Sequence, residues 1–282
     1  MHRFFVSPEL LQENNIDISL PKELAHQVRD VLRLGIDEQL LLLDNSGDEV
    51  LAAIAKTSKT SVEVHLLERR PGRSEPAVRI ILCQGLLKSI RFEWILEKGT
   101  ELGVSVFSPI ICSRSMSGLE YTGSSKIQRW QRIIQEAAEQ CGRSRLPELL
   151  PIRPLLDALN DIPSDALAIM PWEEEHSLTL RDALNFSNLS TRNVGATLAT
   201  AQLPHDALIS PENVGATLEV VRPSQMPTTI FLFIGPEGGL MTEEVALAQR
   251  RGVQVVTLGA RTLRAETAAI ATVANVMYEL EL

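Results

Sequence analysis

Two short runs near the C-terminus constrain the fold most. Thr229–Ile234 stops at Gly235-Pro236-Glu237-Gly238-Gly239, and Val255–Leu258 stops at Gly259, followed by Ala260-Arg261-Thr262-Leu263-Arg264-Ala265-Glu266-Thr267-Ala268. Each is a β-branched and aromatic run of strand length halted by glycine. Between them, Thr242 predicts a helix N-cap, Glu243 and Glu244 an acidic first turn, Arg250 and Arg251 a basic last turn, and Gly252 the C-cap. Strand, glycine loop and helix, given twice, imply a parallel sheet with both loops at the carboxyl ends of its strands. That is where open α/β sheets bind ligands.

Gly235, Gly238 and Gly239 carry no side chain, so a ligand can press against the backbone there. A single loop of this kind is equally well read as a tight turn; two in neighbouring units favour a binding crevice. The chain lacks a G-x-x-x-x-G-K-[ST] run and a G-x-G-x-x-G after any strand. Those absences argue against a nucleoside triphosphate or a dinucleotide as the ligand.

The 282 residues suffice for one large domain or two ordinary ones, and 44% hydrophobic against 22% charged content describes a globular protein. Met1–Phe5 gives way to polar sequence by Ser7, which argues against a secretory segment, and no apolar run approaches membrane-spanning length. Cys83, Cys112 and Cys141 have neither CxxC spacing nor nearby histidines. The expectation is a cytoplasmic, metal-free protein with reduced thiols. The net charge of −9 argues against a nucleic-acid partner when taken whole. By segment, residues 1–74 hold nine basic and twelve acidic groups, 75–150 ten and eight, and 151–282 eight and sixteen. A locally basic middle is compatible with RNA.

The first seventy or so residues read as short strands and turns, a small β-barrel or curled sheet. Strands are expected at 40–44, 50–55 and 62–67, and a helix over 22–32 with Leu24, Val28, Val31 and Leu32 on one face. Residues 69–76, with two prolines and a glycine, read as an exposed linker. Beyond it come a strand at 78–82, a helix over 88–103 and a strand at 104–111. On that helix the expected apolar face runs through Ile90 and Trp94, widened by Ile95 and Leu102. A second helix, 126–141, buries Trp130, Ile133, Ile134, Ala137 and Cys141. The domains expected are 1–72 and 76–282, and 186–227 reads as a surface insertion carrying the repeat NVGATL at 193–198 and 213–218. Two copies are too few for a solenoid.

IGPEGGL at 234–240 and LGARTLRAETA at 258–268 resemble the two cofactor-loop motifs of the SPOUT methyltransferases. Within that superfamily they are similar to the RsmE-type small-subunit ribosomal RNA uracil-N3 methyltransferases. The similarity continues through Lys88-x-x-Arg91-x-Glu93-Trp94, Ser113-Arg114-Ser115 and the run from Arg129-Trp130 to Gly142-Arg143. Pro171-Trp172-Glu173-Glu174-Glu175, after a strand at 166–170, resembles the family's acidic run at a strand end, and reads equally as a loop closing over the cofactor's adenosine or as a solvated acidic turn. RFFV near the start, followed by His26-x-x-x-Asp30-Val31-Leu32-Arg33, is similar to the family's PUA-like RNA-binding domain. The resemblance implies an α/β fold: an N-terminal PUA-like small β-barrel, and a C-terminal SPOUT domain with a parallel sheet and a deep trefoil knot. It also implies S-adenosylmethionine as cofactor, a homodimer, and 16S ribosomal RNA, within the assembled small subunit, as partner.

By the same resemblance, Ile234, Gly235, Pro236, Glu237, Gly238, Gly239, Leu258, Gly259, Leu263 and Thr267 would bind the cofactor. Arg3, Arg29, Arg33, Lys88, Arg91, Arg114 and Arg143 would face RNA. Surface ion pairs are the competing reading for Glu97, Lys98, Glu101 and Arg129, and it is the favoured one for Glu97 and Lys98. Methyl transfer from a sulfonium is an in-line displacement that needs alignment above all. Uracil N3 becomes nucleophilic as its proton leaves, and the charge spreads onto the flanking carbonyls, where an arginine stabilises it. Arg264 is the expected catalytic residue for that task, with Glu266 orienting the base or the cofactor; dimer-interface charges are the other reading of Arg261 and Arg264. None of the five histidines presents itself as a general base. Two other functions stay open: a SPOUT enzyme acting on transfer RNA or a ribose hydroxyl, and a non-catalytic RNA-binding relative.

Overall fold

The C-terminal strands read as unbroken apolar runs because both faces of their sheet are covered. In the structure, a computed structural model that describes residues 1–12, 15–118, 121–185 and 227–281, alternate residues of each strand enter two separate cores. Ile230, Leu232 and Ile234 pack with Phe92, Leu96, Trp130 and Val273 on one face. Phe231 and Phe233 pack with Leu155, Leu159, Val245 and Ala248 on the other. The predicted insertion, its last residue Pro227 excepted, lies outside the described residues.

The N-terminal sheet is formed by β1 (Arg3–Phe5), β2 (Asp17–Ser19), β3 (Gln39–Leu43), β4 (Asp48–Thr57) and β5 (Val62–Pro71), in the order β1-β3-β4-β5-β2. Helix α1 (Lys22–His26) runs on through a π-turn, Gln27–Val31, and Arg33 ends it in the left-handed region at φ 57°. The first part of the expected linker is strand instead: Arg69, Arg70 and Pro71 pair with Val50, Glu49 and Asp48. Arg69 is held by Asp44 and Asp48, and Arg70 by Glu49, so neither arginine is spare.

The second sheet is wholly parallel. Its strands are β6 (Arg79–Gly85), β7 (Val104–Ile111), β8 (Glu148–Leu149), β9 (Arg153–Pro154), β10 (Leu167–Pro171), β11 (Thr229–Ile234) and β12 (Gln254–Val256). The order is β12-β10-β11-β6-β7-β8, with β9 also on β7. The helices are α2 (Ser89–Glu101), α3 (Ser124–Cys141), α4 (Leu155–Asn160), α5 (Leu180–Leu184), α6 (Thr242–Arg250) and α7 (Ala265–Glu281). The two glycine-ended strands are therefore not neighbours; β10 lies between them and adds a third loop to the same edge.

Two local expectations need correction. Helix α2 buries Phe92, Ile95, Leu96 and Thr100, while Ile90 is 83% and Trp94 41% exposed. The helix carries two apolar stripes at helical spacing, and the one with Phe92 stacks on Trp130, ring centroids 4.5 Å apart. Thr242 is the first residue of α6, not its cap; the Glu244 carboxylate accepts the Met241 N–H at 2.8 Å instead. Lys98 pairs with Glu97 and Glu101, as the ion-pair reading expects. Arg129 also pairs, with Glu93.

Where the N-terminal sheet meets α3, the Phe5 N–H donates to the half-buried Glu139 carboxylate at 3.1 Å. Burial raises the Glu139 carboxyl above its ordinary range, against the Gln135 and Phe5 hydrogen bonds that lower it. A carboxyl raised by folding contributes stability below its unfolded value and loses it as pH rises through the folded one. Glu139→Gln keeps an acceptor for Phe5 and is expected to raise Tm by about 2 °C at pH 7 but not at pH 4. Equal gains at both pH values in calorimetry would contradict this.

Candidate cofactor and RNA site

Three loops meet at the carboxyl edge of the parallel sheet because β12, β10 and β11 are neighbours there. The β11 loop, Gly235–Leu240, turns on a Gly239 N–H to Pro236 carbonyl bond of 2.9 Å, with Gly239 at φ 72°. A Cβ on Gly239 would lie 2.6 Å from Glu173 Oε1 of the β10 loop. The β12 loop is tied to the same strand: Trp172 N–H donates to the Val256 carbonyl at 3.0 Å, and Thr257 N–H to the Leu178 carbonyl at 2.8 Å. Gly259 sits at φ 112° with nothing within 4 Å of where a Cβ would stand, leaving that backbone open to a ligand. Glu175 closes the β10 loop by accepting the Ser177 and Leu178 N–H groups, the first cause of its lowered carboxyl pKa.

Between Pro171–His176 and Thr257–Leu263 lies a cavity of about 110 Å³ floored by Ala268. Trp172, on its wall, has a buried indole N–H with no partner among the described residues, and Glu266 Oε2 is buried and unpartnered as well. Buried orphans of this kind are rare, and a bound polar ligand satisfies them. The cavity is smaller than the roughly 300 Å³ at the low end of small-ligand sites. Bare backbone of the Gly259 loop, an indole and nearby carboxylates from Glu173 and Glu266 fit a cationic nucleoside such as S-adenosylmethionine.

Two strands of the central pair brace the β11 loop. Gln84 Nε2 donates to the carbonyls of Gly85 (2.9 Å) and Gly235 (3.3 Å). A Cβ on Gly85 would lie 2.5 Å from the Pro236 nitrogen, so only glycine permits this approach. Arg114 Nη1 donates to the Gly238 carbonyl at 3.2 Å. Arg91 bridges Glu237 (2.9 Å) and Glu266 (3.6 Å), joining the β11 loop to the start of α7.

The expected cofactor residues fall into distinct places. Gly235 to Gly239 form the β11 loop, and Leu258, Gly259 and Leu263 line the cavity. Ile234 is 3% exposed and its side chain belongs to the core, leaving its backbone to the site. Thr267 lies exposed in the first turn of α7. Arg264 is exposed next to Leu263; its carbonyl accepts the Ala268 N–H at 2.8 Å, and its guanidinium makes no hydrogen bond or ion pair among the described residues. Sequence reasoning did not single out Gly85 as a brace of the β11 loop or Arg261 and Thr262 as cavity neighbours, and it set His176 aside although it lines the cavity. One signal for Gly85 was present, since β6 too is an apolar run ending in glycine.

The expected RNA-facing residues divide in two. Arg91 and Arg114 meet at the β11 loop, although Arg91 is engaged by two carboxylates, and Lys88 is exposed at the start of α2. In the N-terminal sheet Arg33 is exposed, while Arg29 is turned onto Asp30 and the carbonyls of Ser58 and Lys59. Arg3 lies beside Gly142, 3.8 Å from Glu49. Arg143 is 4% exposed and donates to the Thr100 and Val104 carbonyls and to Glu75. A guanidinium so enclosed does not reach RNA, which removes Arg143 from the RNA-facing set.

An RNA methyltransferase domain model matches residues 74–277, and an RNA methyltransferase PUA domain model matches 21–67. The ribosomal RNA small subunit methyltransferase E of Bacillus subtilis is 27% identical, over 100% of this chain and 98% of its own. That of Synechocystis is 30% identical over 99% of this chain and 78% of its own. Among solved structures, ribosomal RNA small subunit methyltransferase E from Neisseria gonorrhoeae bound to S-adenosyl methionine superposes with a TM-score of 0.73. It is 26% identical and the match covers 99% of this chain and 97% of that one. The chain thus belongs to the RNA methyltransferase family, among the small-subunit ribosomal RNA methyltransferases of type E.

Proposed function

We propose that the protein methylates N3 of a specific uridine in 16S ribosomal RNA, with S-adenosylmethionine as methyl donor. The observation that carries this reading is the cavity between the β10 and β12 loops, with the β11 glycine loop packed against Glu173 on its wall and the Arg264 guanidinium unpaired beside it. The Neisseria relative, bound to S-adenosyl methionine, supports the choice of cofactor. When bound, that cofactor supplies a methyl group activated by a sulfonium.

The chain's own residues supply alignment and charge. Gly235 to Gly239, Leu258, Gly259, Leu263 and Thr267 hold the cofactor against bare backbone. Arg264 stabilises the negative charge that spreads over the uracil carbonyls as N3 loses its proton. Glu266 orients the base or the cofactor, itself held by Arg91. Lys88 and Arg114 position the RNA backbone, contacts that fix register and carry no base identity. Since N3 lies on the pairing edge, the target base is unpaired or drawn from its stack.

Residues 1–72 serve as the RNA-binding module and 76–282 as the catalytic one. A trefoil knot is supported by the path of the C-terminus: Thr257 bridges Thr179, and α7 then returns to pack on the same core as α2. The exposed stripe of Ile90 and Trp94 supports a homodimer, since a second copy would cover it. No described helix is long and apolar enough to cross a membrane; the proposed setting is the cytoplasm, on the assembled small subunit.

Methyl transfer from labelled S-adenosylmethionine to unmodified 16S ribosomal RNA and to assembled subunits, with the product nucleoside identified, tests the reading. 3-Methyluridine is the expected product. Transfer to another position, or cofactor binding without transfer, would overturn it. Arg91→Ala is expected to weaken cofactor binding up to about fivefold, the worth of a partly exposed ion pair. If Arg91 instead contacts RNA, titration calorimetry will find the cofactor Kd unchanged and the loss will appear in the KM for RNA.

A further inference from the structure

Every residue of the turn after α3 touches the N-terminal sheet or the segment leading out of it. Gly142, at φ 84°, leaves room for the Arg3 guanidinium, which lies 3.2 Å from where a Cβ would stand. Arg143 Nη2 donates to Glu75 at 2.9 Å. The N–H groups of Ser144 and Arg145 both donate to the other Glu75 oxygen, each at 2.9 Å. Leu146 N–H donates to Asn45 Oδ1 at 2.7 Å. Gly72 lies so close that a Cβ on it would stand 2.4 Å from Ser144 Oγ, and the Arg145 guanidinium covers Gly47 in the same way. Asn45 and Gly47 both have positive φ, so the hairpin turn that carries them is shaped to fit.

We propose that residues 142–146 are a socket that sets the angle of the N-terminal module, with Glu75 and Arg143 as positioning residues for RNA methylation. The segment after β5 is therefore not a free hinge. Its single carboxylate ends three donors of the turn at once, and Arg143 anchors that turn to α2 and β7 through the Thr100 and Val104 carbonyls. The socket lies beside Arg79 and Thr228, at the amino ends of β6 and the strand next to it. Seven residues of β6 separate that end from the cofactor loops, a span of about 23 Å. A small change of angle at the socket moves any RNA held by the module by a larger distance at the site. Fixing the angle raises the effective concentration of the target base there.

The proposal rests on the reading of the protein as an RNA methyltransferase, and the test separates the two. Glu75→Ala, Glu75→Gln and Asn45→Ala are compared with the full-length parent for tryptic cleavage after Arg73, for hydrogen exchange of 142–146, and for kinetics. Glu75→Ala is expected to speed cleavage and exchange and to raise the KM for RNA about tenfold, with kcat and cofactor Kd within about twofold. Glu75→Gln keeps an acceptor for the Ser144 and Arg145 N–H groups and is expected to fall between the two. A raised KM with cleavage and exchange unchanged would point to direct RNA contact and overturn the proposal. So would a loosened socket with an unchanged KM. If the parent protein methylates no RNA, the functional reading fails, and unchanged cleavage and exchange in Glu75→Ala would still overturn the socket.

Discussion

Arg264→Ala is expected to lower kcat about a hundredfold, the typical loss when one preorganised donor to a developing oxyanion is removed, while cofactor Kd changes less than about twofold. Arg264 stands at the start of α7, exposed, one residue past the cavity wall, and no described carboxylate engages it. That isolation distinguishes it from Arg91, which already satisfies Glu237 and Glu266, and from Arg114, whose Nη1 already donates to the Gly238 carbonyl. A guanidinium without an internal partner is available for charge that appears only as the reaction proceeds. Arg261, on the cavity wall, is the control: Arg261→Ala is expected to weaken cofactor binding more than turnover. Single-turnover rates with saturating cofactor separate the two. A full kcat in Arg264→Ala would remove that residue from the chemistry.

Gly85→Ala is expected to damage the site from behind. The added methyl would meet the Pro236 nitrogen at 2.5 Å and the Gly235 carbonyl carbon at 2.8 Å. Both are backbone atoms between two strands paired along Arg79–Gln84 and Thr229–Ile234, so they cannot swing aside as a flexible side chain would. Overpacking of this kind costs about 1–3 kcal/mol, and the strain falls on the loop that cradles the ligand. The expected outcome is a Tm lower by several degrees and a cofactor Kd higher by at least about tenfold. A loss of Tm with Kd intact would show that the β11 loop accommodates the methyl without changing its ligand-facing side.

Both of these residues illustrate what was legible. Arg264 could be named because it falls within a motif that resembles a known family and its charge suits a developing uracil anion. The strands themselves were found because burial on both faces leaves no polar alternation to confuse them. Gly85 was missed because Gln84 interrupts the apolar run, so the strand is read as ending at 82, three residues short of the glycine. The apolar face of α2 was misjudged because it has two helical stripes, and only the position of Trp130 decides which is covered. Arg143 was placed against RNA because sequence records its charge but not that carbonyls and Glu75 enclose it. Likewise, strand order cannot be read from adjacency along the chain. The β10 loop, with Trp172, Glu173 and His176, therefore enters the site from a segment far from either glycine motif.

Strand order also sets the timetable of synthesis. The central pair of the parallel sheet joins Arg79 to Thr229, positions 150 residues apart. A ribosome adding about 5–20 residues per second makes the first of these strands roughly eight to thirty seconds before its partner exists. Through that interval β6 has one of its two neighbours, and an open row of backbone donors and acceptors faces other nascent chains. The N-terminal sheet, whose pairings all lie within the first 71 residues, can close long before. Its socket partner, the turn at 142–146, emerges next. The strands that seal the exposed edge and build the cofactor loops leave the ribosome after all of these, so a nascent chain does not possess the site until Ala268 has been made.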